Sequence, residues 1–177
     1  MPTPDWQSIE ELLKPDYPTH PLRDWAAARR IARHAAELAE GETLDMDRMH
    51  LLCWFCFLRH CAPEPAYRTK WMRPLREAGV PLETQMWLWM ALQRFLTTPE
   101  TPEERVVHDA YNLEKTGALG LARAFRQGGE DGKQFEEIVQ DAKKALDGTS
   151  FLTPAGRRLG IRRMVTARRF IKELEEE

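Results

Sequence analysis

The sequence predicts a single all-α domain built as a helical bundle, and three observations carry that expectation. Apolar residues recur at steps of three and four along almost the whole chain. No stretch alternates apolar and polar residues with a period of two for long enough to make a strand. The length, 177 residues, suits one well-buried core and is short for two.

Each helix follows from local chemistry. Asp5 can cap a first short helix through Ile9 and Leu13, which Pro15 stops because proline lacks a backbone donor. A turn-rich segment to Pro21 follows. The second helix carries Ala28, Ile31, Ala35 and Leu38 on one stripe and ends at Gly41, whose missing Cβ permits a left-handed C-cap. A third helix is expected from Asp45 or Asp47 to about Cys61. Between Leu51 and Leu58 it is apolar on every side, which makes it the expected axis of the core. Pro63 and Pro65 end it, and a helix kinked or interrupted by Pro74 runs on to Gly79. Pro81 opens a segment with Met86, Trp89, Met90 and Gln93 on one face and Trp87, Leu88 and Leu92 beside it, too apolar for a surface helix. Thr101-Pro102-Glu103-Glu104 has the order of a capping box and starts a helix through Asp109 and Leu113 to Gly117. Ala118 to Phe125 continues as another helical piece, and Gly128-Gly129-Glu130-Asp131-Gly132 reads as a flexible loop. Phe135, Ile138, Val139, Ala142 and Leu146 form an amphipathic stripe. Thr153-Pro154 opens the last helix, with Gly160, Met164, Ala167, Ile171 and Leu174 spaced four, three, four, three.

Composition narrows the function classes. Lys and Arg number 26 against 28 for Asp and Glu, so no global field draws the chain to nucleic acid or to an anionic membrane. The longest apolar run, Leu51 to Leu58, falls far short of the ~20 residues that span a bilayer. The N-terminus lacks the basic and apolar segments of a secretory signal, so a cytoplasmic address is the expectation. Three cysteines do not describe a disulfide framework, and Cys53-x-x-Cys56, set among Trp54, Phe55 and Phe57 with no second pair, reads as core packing. The six tryptophans at helical spacing read as core before they read as a pocket for an aromatic ligand. Arg157, Arg158, Arg162, Arg163, Arg168 and Arg169 on the last helix read as a solvated face balanced by Glu173 and the closing glutamates, which makes nucleic-acid binding the weakest reading. The remaining residues able to bind metal, His20, Asp24, His60, Cys61, His108 and Asp109, lie near the ends of expected core helices.

One resemblance is long. Thr101 to Leu113, ending Val107-His108-Asp109-Ala110-Tyr111-Asn112-Leu113, continues into Gly117-Ala118-Leu119-Gly120-Leu121-Ala122-Arg123-Ala124-Phe125. This stretch resembles the last metal-ligand motif of the HD-domain metal-dependent phosphohydrolases, whose small bacterial branch carries T-x-E-x-x-I-V-x-D-A-D-x-L-x-x-x-G-A-I-G-I-A-R-x-F. Thr153, Ala155, Arg157, Arg163, Phe170 and the Glu-rich end are similar to that branch's terminal helix. The similarity runs from about Arg23 to Glu177. It divides the chain into an N-terminal helix and turn, residues 1–20, and an HD-like helical domain, residues 21–177.

The resemblance implies an all-α fold and a site for one or two divalent cations, held by a His of the first core helix, the His-Asp doublet and an Asp of D-A-D. Such an ion lowers the pKa of a bound water that attacks a phosphoryl centre. Aligned without gaps, Ala27 stands at the first-helix His and Arg23-Asp24 at a preceding His-Asp. In the same register Cys56-Phe57 stands at the doublet and Gln93-Arg94-Phe95 at a central H-S-F. Asp109 matches the ligand Asp, while Tyr111 replaces the second Asp of D-A-D. Neither Ala nor Phe can coordinate an ion. A second register, one helical turn later, assigns the doublet to His60-Cys61 and enlists Asp24 or His20.

Two expectations follow. In the first, the scaffold is kept and the metal centre lost. The chain then works without a cofactor as a binding module for a nucleotide-like small molecule or a protein partner, with Arg23, Gln93, Arg94, Tyr111 and Arg123 as candidate ligand contacts. In the alternative it is a variant phosphohydrolase whose Mn, Mg, Fe or Zn is held by Asp109, His60, Cys61 and Asp24. Both leave a homo-oligomer open, and neither involves a membrane.

Overall fold

The computed structural model describes residues 3–17 and 23–176, and nothing in the described residues is a strand. Among the described residues nine α-helices follow in order. They are α1 (Trp6–Leu13), α2 (Trp25–Leu38), α3 (Met46–Phe55), α4 (Pro65–Glu77), α5 (Leu82–Arg94), α6 (Pro102–Lys115), α7 (Gly117–Glu130), α8 (Phe135–Asp147) and α9 (Pro154–Glu176). Short 3-10 segments, Lys14–Asp16 and Cys56–Cys61, extend α1 and α3. Together these form the all-α single-domain bundle that the periodicity predicts.

Several helix starts are made as the sequence reads. The Asp5 carboxylate accepts from the Ser8 amide at 3.1 Å and Asp45 from Arg48 at 3.0 Å, while Asp24, expected only as a metal candidate, caps α2 by accepting from the Ala27 amide at 2.7 Å. Gly41 takes the left-handed conformation after α2, with φ +82°. The Thr101 hydroxyl accepts from the Glu104 amide at 3.3 Å, but Glu104 does not close the box. Its carboxylate instead accepts the Glu100 amide at 2.8 Å and a bidentate approach from Arg94, tying the end of α5 to the start of α6.

Four expectations are corrected. The third helix does not run unbroken to Cys61, because the chain tightens into the 3-10 turn at Cys56. Pro74 does not interrupt α4, which has Pro65 in its first turn, where a missing amide costs nothing. The glycine-rich stretch is not a loop over its whole length, since Gly128 to Glu130 complete α7 and the turn is Asp131-Gly132. Gly128 is small for packing: a Cβ there would meet Ile138 Cγ1 at 2.4 Å. Finally, α5 keeps a surface, with Met86 and Met90 60% and 52% exposed while Trp87, Leu88, Ala91 and Leu92 are buried.

The most enclosed helix is α6, buried at Glu103, Glu104 and every residue from Val106 to Glu114. Its polar residues hide this in the sequence. Each finds a partner: Glu103 takes the Asp45 amide, Asn112 donates to the Ser150 carbonyl at 3.0 Å, and Glu114 accepts from Arg30 at 2.8 Å. The main core packs α1 to α6 together, with Ile9 and Leu13 of α1 inside it, and includes both Cys53 and Cys56. A second, smaller core of Leu121, Val139, Ala142, Leu146, Ala167 and Ile171 joins α7, α8 and α9. Arg163 of α9 connects the two by donating to the Leu113 carbonyl at 2.8 Å, where α6 runs out of internal donors.

Candidate functional site

A break between two helices shapes the site. Thr116 is extended and Gly117 has φ +75°, so the chain leaves α6 at Lys115 and restarts as α7 folded back against it. Gly120 then packs on the end of α6, where a Cβ would stand 2.0 Å from the Lys115 carbonyl oxygen. The close approach leaves a cavity of about 310 Å³ between these helices, the 3-10 turn and the start of α2, within the range of small-molecule sites. Tyr111, Glu114 and Lys115 face it from α6, Phe57 and Arg59 from the turn, and Arg123 from α7, with Arg23 at its edge. A neighbouring recess of about 390 Å³ shares Lys115, Gly120, Ala124 and Ala145 with it and continues past Asn112, Leu121 and Leu146.

The charge in the cavity is lopsided. Glu114 is 4% exposed and already engaged by Arg30 and Arg123, and Arg123 also reaches Asp24 at 3.3 Å. Arg23, Arg59 and Lys115 have no carboxylate partner among the ion pairs of the described residues. Two of these cations lie over one aromatic ring, with Lys115 Nζ 4.2 Å and the Arg59 guanidinium 5.9 Å from the Tyr111 ring centre. Burial, reinforced by Arg59 and Arg23, pushes the Lys115 ammonium down to about 8, although its side chain still meets solvent at the mouth. The buried Tyr111 phenol is raised, with Arg59 opposing that rise.

Asp109 is elsewhere employed. It is fully buried, and its Oδ1 accepts the Leu152 amide at 2.8 Å and lies 3.0 Å from His108 Nδ1. Its Oδ2 accepts both the amide and the hydroxyl of Thr153 at 2.7 Å. Burial alone would raise its pKa, but these hydrogen bonds hold the carboxylate below its usual range. The side chain anchors the N-terminus of α9 and presents no free oxygen to an ion. Of the two Asp positions in the D-A-D pattern, the one lining the cavity is Tyr111.

The remaining candidates separate. Arg23, Tyr111 and Arg123 come together in the cavity, and Asp24 stands beside it as the α2 cap paired with Arg123. Gln93 does not line it, because its side chain is exposed and donates to the Trp89 carbonyl. Arg94 is consumed by Glu104 and Glu100. His60 is exposed, and Cys61 lies near Glu64, Asp16 and Lys70, sharing none of the partners of Asp109. His20 lies outside the described residues. Among the described residues no three His, Cys, Asp or Glu side chains are gathered to hold a metal ion. Both oxygens of Asp109 are engaged by His108, Leu152 and Thr153, so the described donors do not gather there around a cation of the kind the resemblance implies.

Sequence reasoning missed Arg59, Glu114 and Lys115. Lys115 ends the motif just before the threonine and glycine that turn the chain, and its position against the following Gly-x-x-Gly spacing was the available signal.

No family model and no curated protein matches the chain. Solved structures do. YpgQ of Bacillus subtilis, in complex with ADP, superposes with TM-score 0.77 at 21% identity, over 96% of this chain and 93% of that one. An HD-superfamily hydrolase from Bacillus thuringiensis gives TM-score 0.70 at 21% identity, over 96% of both chains. A predicted HD superfamily hydrolase from an uncultured Thermotogales bacterium gives 0.67 at 17%, over 98% and 92%.

Proposed function

Starting from a fold shared with HD-superfamily hydrolases, we propose that this chain binds a phosphate-bearing, nucleotide-like small molecule in the cavity around Tyr111 and does not hydrolyse it. The observation that carries this reading is the charge of that cavity: Arg23, Arg59 and Lys115 converge there with no carboxylate partner among the described residues. A phosphate supplies the missing negative charge and accepts the planar fork of arginine in two hydrogen bonds. Fixed cations then do the electrostatic work that a divalent ion does in a metal-dependent phosphohydrolase. They do not lower the pKa of a bound water as an ion does, so the cavity holds a phosphate without arming a nucleophile against it. The ADP seen in the Bacillus subtilis neighbour agrees with this ligand class.

Calorimetric titration with ADP, run with and without a chelator, tests the reading. Binding that survives chelation, weakens with added salt and releases no phosphate is the expected result. Absence of binding at millimolar ADP overturns it, as does phosphate release that depends on added metal.

A further inference from the structure

We infer that Lys115 is an amine that condenses with a small aldehyde bearing a phosphate or carboxylate, drawn into the same cavity. This rests on the cavity being an anion site, and adds to it a reversible covalent step.

Position comes first. Of the four residues shared by the cationic cavity and the neighbouring recess past Leu121 and Leu146, Lys115 is the one that carries a nucleophile. A molecule with its anionic end at Arg23 and Arg59 and its body in that recess must pass the Lys115 amine. Lys115 also differs from the ion-paired lysines of the surface. Lys70 reaches Asp16 at 2.7 Å, Lys133 reaches Asp141 at 2.7 Å and Lys143 reaches Glu175 at 2.9 Å, whereas Lys115 has no carboxylate partner among the described residues. Its neighbours are an aromatic ring and two guanidiniums.

Burial first, and then the two guanidiniums, favour the neutral amine. With its pKa at about 8, roughly a tenth of Lys115 is unprotonated at neutral pH, against about three parts in ten thousand for an ordinary lysine. Crowding by cations is a recognised way to make a lysine nucleophilic. The nitrogen lone pair attacks the aldehyde carbon, the carbonyl π pair moves to oxygen, and that oxygen takes up the proton shed by nitrogen. The carbinolamine loses one water to give an imine, and water reverses the step with no change of oxidation state. Protonated, the iminium occupies the place over the Tyr111 ring where the ammonium sits, 4.2 Å from its centre.

Pyridoxal 5'-phosphate is a suitable probe, since it joins an aldehyde to a phosphate. The protein is incubated with it, reduced with borohydride and mapped by mass spectrometry, in parallel with pyridoxal, which lacks the phosphate. The expected result is labelling at Lys115 at least tenfold above any other lysine and above pyridoxal, abolished in Lys115→Arg and reduced in Arg59→Ala. Labelling spread over surface lysines, or unchanged in total by Lys115→Arg, overturns the inference. If ADP binds while Lys115 stays unlabelled, the inference falls and the ligand reading stands. If Lys115 labels selectively while ADP neither binds nor protects it, the nucleotide reading falls and the inference stands.

Discussion

Gly156 lies so close to Asp109 that a Cβ added to it would stand 2.1 Å from the carboxylate Oδ2. The absence of a side chain at one position thus lets a buried carboxylate receive the α9 terminus at another. Gly156→Ala is therefore expected to destabilise the fold by about 1–3 kcal/mol, the usual cost of overpacking. Asp109→Ala removes several charge-assisted hydrogen bonds, at roughly 1.5–3 kcal/mol for each not replaced by water. In the Asp109→Ala background the two closest contacts, Oδ2 and Cγ, are gone and only the Cβ at 2.9 Å remains in the way, so Gly156→Ala should cost much less there than in the wild-type protein. Urea unfolding of the four proteins measures the coupling, and simple additivity would show that the two residues do not meet.

The Lys115 ammonium makes anion binding depend on pH. Its pKa in the free protein is about 8, and a bound phosphate raises it by favouring the charged form. Binding then takes up a proton, and affinity is full below about pH 8 and falls as pH rises through and beyond it. ADP titrations from about pH 6.5 to 9.5 should show this decline, and Lys115→Met should bind more weakly and lose the pH step. A wild-type affinity that is level across the range would remove Lys115 from the site.

Charge reversal separates the cavity from its surroundings. Arg59→Glu should lower ADP affinity by ten- to a hundredfold, since one charge-assisted hydrogen bond contributes about 1.5–3 kcal/mol. Gln93→Ala, at an exposed side chain that bonds only to the Trp89 carbonyl of its own helix, should leave affinity unchanged. Equal effects of the two would place the ligand outside the cavity.

What the sequence disclosed and what it hid divide along physical lines. Helix caps are local, so Asp5, Asp45 and Thr101 are readable from a few neighbouring residues. The enclosure of α6 was not, because Glu104, Asp109, Asn112 and Glu114 look like solvent-facing residues until their partners from other segments are in place. The same long-range pairing governs the site. Arg123 and Arg94 are equivalent as letters, but one faces the cavity and the other is spent on two glutamates. Asp109 matches a ligand motif in sequence, yet its hydrogen bonds come from residues 43 and 44 positions away. Motif spacing cannot state whether a carboxylate is free.

His34 sets a pH limit on stability. It is 7% exposed, and burial first, then the charge of Arg163, whose guanidinium lies 3.3 Å from Nε2, lowers its pKa to about 4. In the unfolded chain it titrates near 6.5. Between those values the unfolded state binds the extra proton, so stability is full above about pH 6.5 and is lost as pH falls toward 4. The loss from this residue is on the order of 3 kcal/mol, with some screening because the ring is not wholly enclosed. His34→Gln, which cannot take up the proton, should flatten the slope across that window in urea unfolding series, whatever its effect on stability at neutral pH. A slope that His34→Gln leaves intact would assign the acid sensitivity to other groups and show that His34 can charge within the fold.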